Sequence, residues 1–387
     1  MSARSPASSL LDTVLLKVAS RCNLNCDYCY VYHMGDEAWR DQPKRMSMAT
    51  IRRVAEQLGE VYRAQATPFS VVLHGGEPLL LGAERLTALL KALRAELPHP
   101  CGIHVQTNGV LLTDPIIDLL VAYDVGISIS IDGPAEIHDG FRKDHLGRGS
   151  HAKVLAAIER VLRRADARSL LAGVLAVIDP RSDPRVVYDA LKGLGVPGID
   201  VLVRDGNWDR LPFGKASPAS LEYGQWLTGL LKAYLADPEP PRIRLLDDLL
   251  RLLLGGGSQK EGVGMTDYGI LVIEADGQID KNDTLKVAYP NADRFIASWN
   301  VHRDNIRDIM TSDAYQEYHR QQHPAAEDCK RCPELAVCGG GMVAHRWSKS
   351  RGFDNPTIFC ADQKLLIGAM RSALTERSLL SAEKEVV

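Results

Sequence analysis

The sequence predicts an α/β chain: a partial (β/α)6 barrel of parallel strands, followed by a C-terminal domain organised by metal as much as by a hydrophobic core. Three observations carry this expectation. From about residue 14 to 205, short β-branched apolar runs alternate with amphipathic helical stretches, the pattern of βα units around a parallel sheet. Beyond residue 205 the alternation stops, and Pro- and Gly-rich breaks punctuate the chain. Apart from Cys101, the 8 cysteines fall into two groups, Cys22, Cys26 and Cys29, then Cys329, Cys332, Cys338 and Cys360. In a chain this long, grouped thiols indicate metal rather than a disulfide scaffold.

Strands are expected at 14–19 (VLLKVA), 69–74 (FSVVLH), 103–107 (IHVQT), 125–131 (VGISISI), 171–178 (LAGVLAVI) and 199–204 (IDVLVR). Each is short and rich in Val, Ile or Leu, as a strand buried in a parallel sheet must be. Helices are expected at 50–64, 83–96, 114–122 and 150–165, each starting near a Thr, Ser, Asp or small residue able to cap it. Six such units make an incomplete barrel, and loops leaving the C-terminal strand ends should carry function. The stretches 211–220 and 236–244 read as connectors, and the Leu-rich helix 243–254 stops at three glycines, 255–257. Residues 269–287 read as a hairpin turning at Asp276-Gly277. The expected domains are a barrel over 1–230, a helical connector over 231–254, and a cysteine-rich domain with a C-terminal helix over 255–387.

Composition excludes several classes. With 46 Lys+Arg against 49 Asp+Glu, the net charge is −3, which leaves no basic excess for a nucleic-acid backbone. No run approaches the ~20 apolar residues of a membrane span. The N-terminal apolar stretch is interrupted by Asp12 and Lys17, a poor secretory segment, so the chain reads as cytoplasmic. Cys101, alone, reads as a small buried residue.

The loop after the first strand, SRCNLNCDYCYVY, spaces its thiols C-x3-C-x2-C. Three thiolates from one tight loop can hold three corners of a 4Fe-4S cube and leave the fourth iron open. An open iron can bind the amino and carboxylate groups of S-adenosylmethionine and deliver an electron to its sulfonium, releasing a 5′-deoxyadenosyl radical. A zinc site using these thiols and His33 is the alternative. The second group, spaced C-x2-C-x5-C-x21-C, can complete the coordination of a cluster with no open iron, or hold a zinc ion.

The first loop, with Tyr28 in its aromatic place, resembles that of the radical S-adenosylmethionine superfamily. HGGEPLL at 74–80 resembles its Gly-Gly-Glu motif, which implies that Gly75, Gly76 and Glu77 receive the methionine amino group. QTNG at 106–109, with Thr107 and Asn108, resembles the ribose segment. SIDGP at 130–134, with Ser130 and Asp132, followed by HDGFR at 138–142, resembles the part in which Ser130 and Arg142 hold the methionine carboxylate. An arginine fork suits a carboxylate. The C-terminal cysteines resemble the SPASM domain of peptide and protein maturases, an auxiliary-cluster domain. Asn282 and Met342 stand where that family has cysteines of a first auxiliary cluster, so two 4Fe-4S clusters in total are expected. Asp283 resembles the acid with which sulfatase-maturing relatives take a proton from substrate, and Asp205 is a second candidate; Asp283 could instead be a solvated hairpin residue, and Asp205 a loop residue capping a turn.

The resemblance implies modification of a ribosomally made precursor peptide, with a flavodoxin or ferredoxin as electron donor. HMGDEAWRDQP, RDGNWDRLP and CGGGMVAHRW resemble the subgroup that joins an aromatic ring to a side-chain β-carbon, forming a cyclophane. Thioether formation, epimerisation, hydroxylation and sulfatase-type maturation are the other outcomes, and a zinc-stabilised binding protein is the non-enzyme alternative. Trp208 and Trp226 are candidates for a peptide groove or for packing. With about 20 residues ahead of the cysteine loop, leader recognition is expected to fall to the barrel, the C-terminal domain or a separate protein.

Overall fold

A computed structural model describes residues 10–385. The first residues, read above as a poor secretory segment, lie in part outside the described residues. All six expected parallel strands form: β1 (Thr13–Ala19), β2 (Ser70–Gly75), β3 (Ile103–Thr107), β4 (Val125–Ser130), β5 (Leu171–Val177) and β6 (Ile199–Leu202). Their bounds lie within two residues of expectation, because β-branched runs flanked by turn residues leave little freedom. The expected helices form at Met48–Gln65, Ala83–Glu96, Asp114–Ala122 and His151–Arg163. Ser47 caps the first, its hydroxyl accepting from Thr50 N at 3.1 Å.

The chain groups into two compact units. The first comprises the described residues up to Ile131, His138–Leu175 and Asp267–Arg320. Its strands pair in parallel from β1 to β2, β3, β4 and β5. On the other edge of β1 lies β7 (Ile270–Ile273), also parallel, followed by antiparallel β8 (Ile279–Asp280). The hairpin expected at 269–287 therefore forms, and its first strand is hydrogen-bonded to β1. Its later residues, Asp283–Val287, coil into a 3-10 helix capped by Asn282.

Burial alternates along β2, β3 and β4. One face, with Val71, Leu73, Val105, Ile127 and Ile129, is fully buried and forms the core. The other carries His74, Gln106, Ser128 and Ser130, only partly covered. A sheet packed on both faces would read as a continuous apolar run. Polar residues at every second position leave a face suited to a polar ligand.

The second unit comprises Asp132–Ile137, Ala176–Thr266 and the residues from Gln321 on. It holds β6 and helices Pro184–Gly193, Glu222–Ala236, Arg244–Leu253 and Cys360–Glu385. A buried ion pair, Lys215 Nζ to Asp362 Oδ2 at 2.6 Å, fixes the start of the last helix. Asp362 Oδ1 also accepts from Gly224 N at 2.7 Å, and a Cβ on Gly224 would meet Asp362 Cα at 2.8 Å. Trp226 is buried and donates to Ser182, so it packs rather than lining a groove. Trp208 donates from its indole to Pro356 O at 2.8 Å. Cys101 is fully buried, as a structural cysteine should be. No described helix is long and apolar enough to cross a membrane.

Candidate functional site

At the C-terminal end of β1 the chain enters the loop carrying Cys22, Cys26 and Cys29. The end of β2 is pressed against it: Gly76 N donates to Ala19 O at 2.8 Å and Glu77 N to Arg21 O at 3.0 Å. A Cβ on Gly75 would lie 2.0 Å from Ala19 O, and one on Gly76 2.0 Å from Tyr32 Oη and 2.4 Å from Arg21 O. Glycine is required here by the cysteine loop itself, in addition to any approach of a ligand. At Gly75 the backbone also adopts φ of 140°, outside the range of other residues.

Glu77 is fully buried and ties this end of the sheet together. Its carboxylate accepts from Thr107 Oγ1 at 2.7 Å, Leu79 N at 3.1 Å and Asn108 N at 2.8 Å. Burial raises its proton affinity, and these three donors oppose that. About four lone-pair directions on a carboxylate leave one for an ammonium. Asn108 reaches further, donating to Asn23 Oδ1 at 2.8 Å and Cys22 Sγ at 3.7 Å. Expected residues from three strand ends thus form one network around the first cysteine.

Tyr28 and Arg142 are also brought together, Arg142 Nη1 donating to the phenol at 2.8 Å. Ser130 accepts from Gln106 on the inner face at 3.0 Å. Asp132 belongs to the second unit, where its carboxylate accepts from Val177 N at 3.1 Å, a backbone cap.

Asp283 is 1% exposed, so it is no solvated hairpin residue. Its Oδ2 accepts from Tyr30 Oη at 2.7 Å and Lys17 Nζ at 2.8 Å. Burial disfavours the carboxylate, but Lys17, His74 and these two hydrogen bonds outweigh it and hold the group well below the usual carboxylate range. Lys17 is likewise held charged against burial by Asp283 and by Glu274, 3.7 Å away. His74 is the register neighbour of Lys17 on the paired strand. Its buried Nδ1 has no hydrogen-bond partner, and burial depresses its protonation. An unfilled nitrogen beside an ion pair, on the polar face of the sheet, marks a place for a ligand group.

Sequence reasoning missed Lys17 and Tyr30. The signal was a lysine within the apolar run VLLKVA, which a parallel strand can bury only against an acid. Asp205, the other candidate acid, lies in the second unit and pairs with buried His345, Nε2 to Oδ1 at 2.9 Å.

The second cysteine group lines one small cavity of ≈ 40 Å³ in the second unit, with Gly340, Pro356 and Thr357 among its walls. Cys338 is pushed up to about 12 by burial and by the other three thiols, as Cys22 is by burial, Glu77 and its neighbours. Arg346, 1% exposed, donates to the carbonyls of Gly339, Gly340, Gly341, Gln321 and Gln322. Burial lowers it to about 10, while Cys329, Cys338 and Glu261 act to hold its charge. A buried guanidinium bonded only to carbonyls suits a site whose thiols are ionised.

Both donor sets fit an iron-sulfur cluster better than a single ion. Thiolates about 2.3 Å from one zinc stand about 3.8 Å apart. Among the described residues, the one group of three or more ligand atoms all within 4.8 Å is Glu274, Asp280 and Asp293, so neither cysteine set is drawn that tightly. That acidic group already holds a cation, Lys286 Nζ at 2.6 Å from Asp293 Oδ2. His33, the expected extra zinc ligand, bonds Asn25 through Nε2 at 3.0 Å.

Residues 16–174 match the family described as the radical SAM superfamily. The chain is 24% identical over 364 residues to the cysteine-type anaerobic sulfatase-maturating enzyme of Clostridium perfringens (strain 13), covering 91% of this chain and 94% of that one. The solved structure "Native anSMEcpe with bound AdoMet and Cp18Cys peptide" shares the fold at a TM-score of 0.80, with 23% identity over 94% of this chain and 98% of that chain. Streptococcus suis SuiB bound to precursor peptide SuiA aligns at a TM-score of 0.57, with 14% identity over 87% and 72% of the two chains.

Proposed function

We infer, from its place in the radical SAM superfamily over residues 16–174, that this enzyme oxidises a side-chain β-carbon within a peptide or protein. The observation that carries the reading is the buried Lys17–Asp283–Tyr30 group, on the unit that also carries the three-cysteine loop. Cys22, Cys26 and Cys29 would hold the first 4Fe-4S cluster. Gly75, Gly76, Glu77, Thr107, Asn108, Ser130 and Arg142 would hold S-adenosylmethionine, with Tyr28 fixing Arg142 and Asp132 supporting the adjoining loop. When bound, the cofactor and its cluster supply a 5′-deoxyadenosyl radical that removes one hydrogen atom from substrate.

The rest falls to this chain. Completing a two-electron oxidation requires loss of a proton and an electron. Lys17 and Tyr30 keep Asp283 ionised across neutral pH, so a base is present at each turnover. A hydroxyl or thiol on a carbon radical is more acidic than its parent, which lets a weakly basic carboxylate take its proton. Cys329, Cys332, Cys338 and Cys360 would hold an auxiliary cluster that accepts the electron, its charge balanced by Arg346.

The product class most favoured by the relatives is that of the sulfatase-maturating enzymes: a Ser side chain oxidised by two electrons to an aldehyde, or a Cys side chain oxidised to a thioaldehyde that water converts to the aldehyde with release of sulfide. One observation favours a second product. Asn282 is committed to capping Asp283–Val287, accepting from Thr284 N at 3.0 Å, so the first auxiliary cluster of SPASM maturases would be missing a ligand. The cyclophane crosslink is this second reading, with a flavodoxin or ferredoxin donor, a cytoplasmic location and, for either product, leader binding by this chain or a separate protein.

The test is anaerobic incubation of the iron-loaded enzyme, S-adenosylmethionine and dithionite with the Cp18Cys peptide and with precursor peptides encoded beside the gene. An aldehyde that condenses with a hydrazide supports sulfatase-type oxidation. Loss of two hydrogens without an aldehyde, and fragments missing between an aromatic residue and a neighbour, supports the crosslink. Absence of 5′-deoxyadenosine with every peptide would overturn both.

A further inference from the structure

A concavity of ≈ 840 Å³ in the first unit is lined by Arg21, Lys44, Arg45, Leu80 and Arg85. Four of the five lining residues are cations and none is an acid. Several other surface arginines on this unit have carboxylate partners: Arg53 with Glu56, Arg63 with Glu96, Arg148 with Asp144, Arg164 with Asp118. The four in the concavity have none among the described residues. Arg21 spends its guanidinium on the neutral carbonyls of Ser20, Trp39 and Arg40, at 3.2, 2.6 and 3.1 Å.

Their place in the fold is specific. Arg21 precedes Cys22. The Lys44-Arg45 strap lies along the end of β1, with Ser20 N donating to Lys44 O at 3.3 Å and Ala19 bridging Arg45. Leu80 and Arg85 follow Glu77 out of β2. The uncompensated charge is therefore gathered at the strand ends from which the cysteine loop springs. Charges of one sign lining a single concavity add their fields and act together on an approaching anion, to a range set by the Debye length of ~8 Å at physiological salt.

We propose that this concavity docks an acidic one-electron carrier protein, a reduced flavodoxin or ferredoxin, that feeds the cluster held by Cys22, Cys26 and Cys29. The proposal rests on the radical SAM reading. The carrier loses one electron and the cluster gains it, with no atom or proton exchanged. An acidic peptide substrate is the competing occupant. It is disfavoured because Asp283, which marks where substrate reacts, is buried and His74 is on the partly covered face of the sheet, whereas Lys44 and Arg45 are exposed.

The experiment compares wild type with Lys44→Glu/Arg45→Glu, with Arg85→Glu and with the milder Lys44→Gln/Arg45→Gln. Photoreduced flavodoxin or dithionite serves as reductant. Flavodoxin affinity, iron content and 5′-deoxyadenosine formation are all measured. The glutamate variants should bind flavodoxin at least about tenfold more weakly at low salt and lose flavodoxin-driven turnover in proportion, the glutamine variant less so. High salt should erase the difference. Dithionite-driven turnover and iron content should stay within about twofold of wild type. Unchanged flavodoxin affinity in all variants would overturn the proposal. So would an equal loss under both reductants in the glutamine variant with its iron intact, which would assign the surface to substrate. Failure of wild type itself with dithionite would instead remove the radical SAM reading, and this proposal with it.

Discussion

Asp283→Asn tests the centre of the site. The substitution keeps the shape of the side chain and removes its charge, leaving Lys17 at 3% exposure with Glu274, 3.7 Å away, as its remaining ion-pair partner and Asp293 as a further anion acting on it. At an effective dielectric of about 20, the lost 2.8 Å contact is an attraction of about 6 kcal/mol, of which Glu274 and relaxation recover part. Stranding one member of a buried pair costs about 3–5 kcal/mol, and the remaining acid puts this case near about 3. An unfolding entropy of about 2.1 cal/mol/K per residue over 387 residues corresponds to about 0.8 kcal/mol per degree, hence a fall of about 4 °C in Tm. The sign with pH follows from the depressed native pKa. The contribution of Asp283 is present above its unfolded value, about pH 4, and is lost as pH falls through the native value, so the gap between wild type and variant closes in acid. Calorimetry at pH 7 and at a series of values below pH 4 reads this. Product assays should show about 10²–10⁴-fold less oxidised peptide while S-adenosylmethionine is still cleaved. A variant that melts within a degree of wild type at pH 7 and forms product at an undiminished rate would refute both the pairing and the base role.

Gly76→Ala should displace the cysteine loop, because its Cβ meets Tyr32 Oη and the Arg21 carbonyl; iron analysis after reconstitution should show the first cluster depleted and 5′-deoxyadenosine lost. Arg346→Met removes a buried cation that acts on Cys329 and Cys338; iron content should fall by about half for two clusters of equal iron, while S-adenosylmethionine cleavage without peptide continues. Asp280 is pushed up to about 7 by burial, with Asp293 and Glu274 adding to it. Its protonated form favours the fold, so wild type loses stability as pH rises from about 4 toward 7, and Asp280→Asn should gain on wild type in Tm between pH 5 and pH 8.

The parallel strands were legible because each is a short β-branched run closed by turn residues, and the cysteine groups because thiol spacing is a local property. What the sequence did not disclose is non-local. Nothing in GILVI announces that β7 hydrogen-bonds to β1, and that pairing is what brings Asp283 to Lys17 and Tyr30. Glu77 was assigned to a ligand from its motif, whereas three of its hydrogen bonds are made inside the protein, to Leu79, Thr107 and Asn108. Asp132 and Asp205 followed strands in the right places, yet their side chains are directed to a backbone amide and to His345. Which way a loop carboxylate turns depends on donors far along the chain, here 45 and 140 residues away.

The pairing of β7 with β1 also imposes an order of events on biosynthesis. Tyr30 and Asp283 are 253 residues apart, an interval of roughly 13–50 s at ribosomal rates of about 5–20 residues per second. Through that time the emerging barrel carries a lysine in its central strand with no acid to receive it. The buried charge of Lys17 is thus unmatched until the hairpin arrives, and the contact that neutralises it is the same contact that completes the base. A chain released early would be unstable for the same reason that it would be inert.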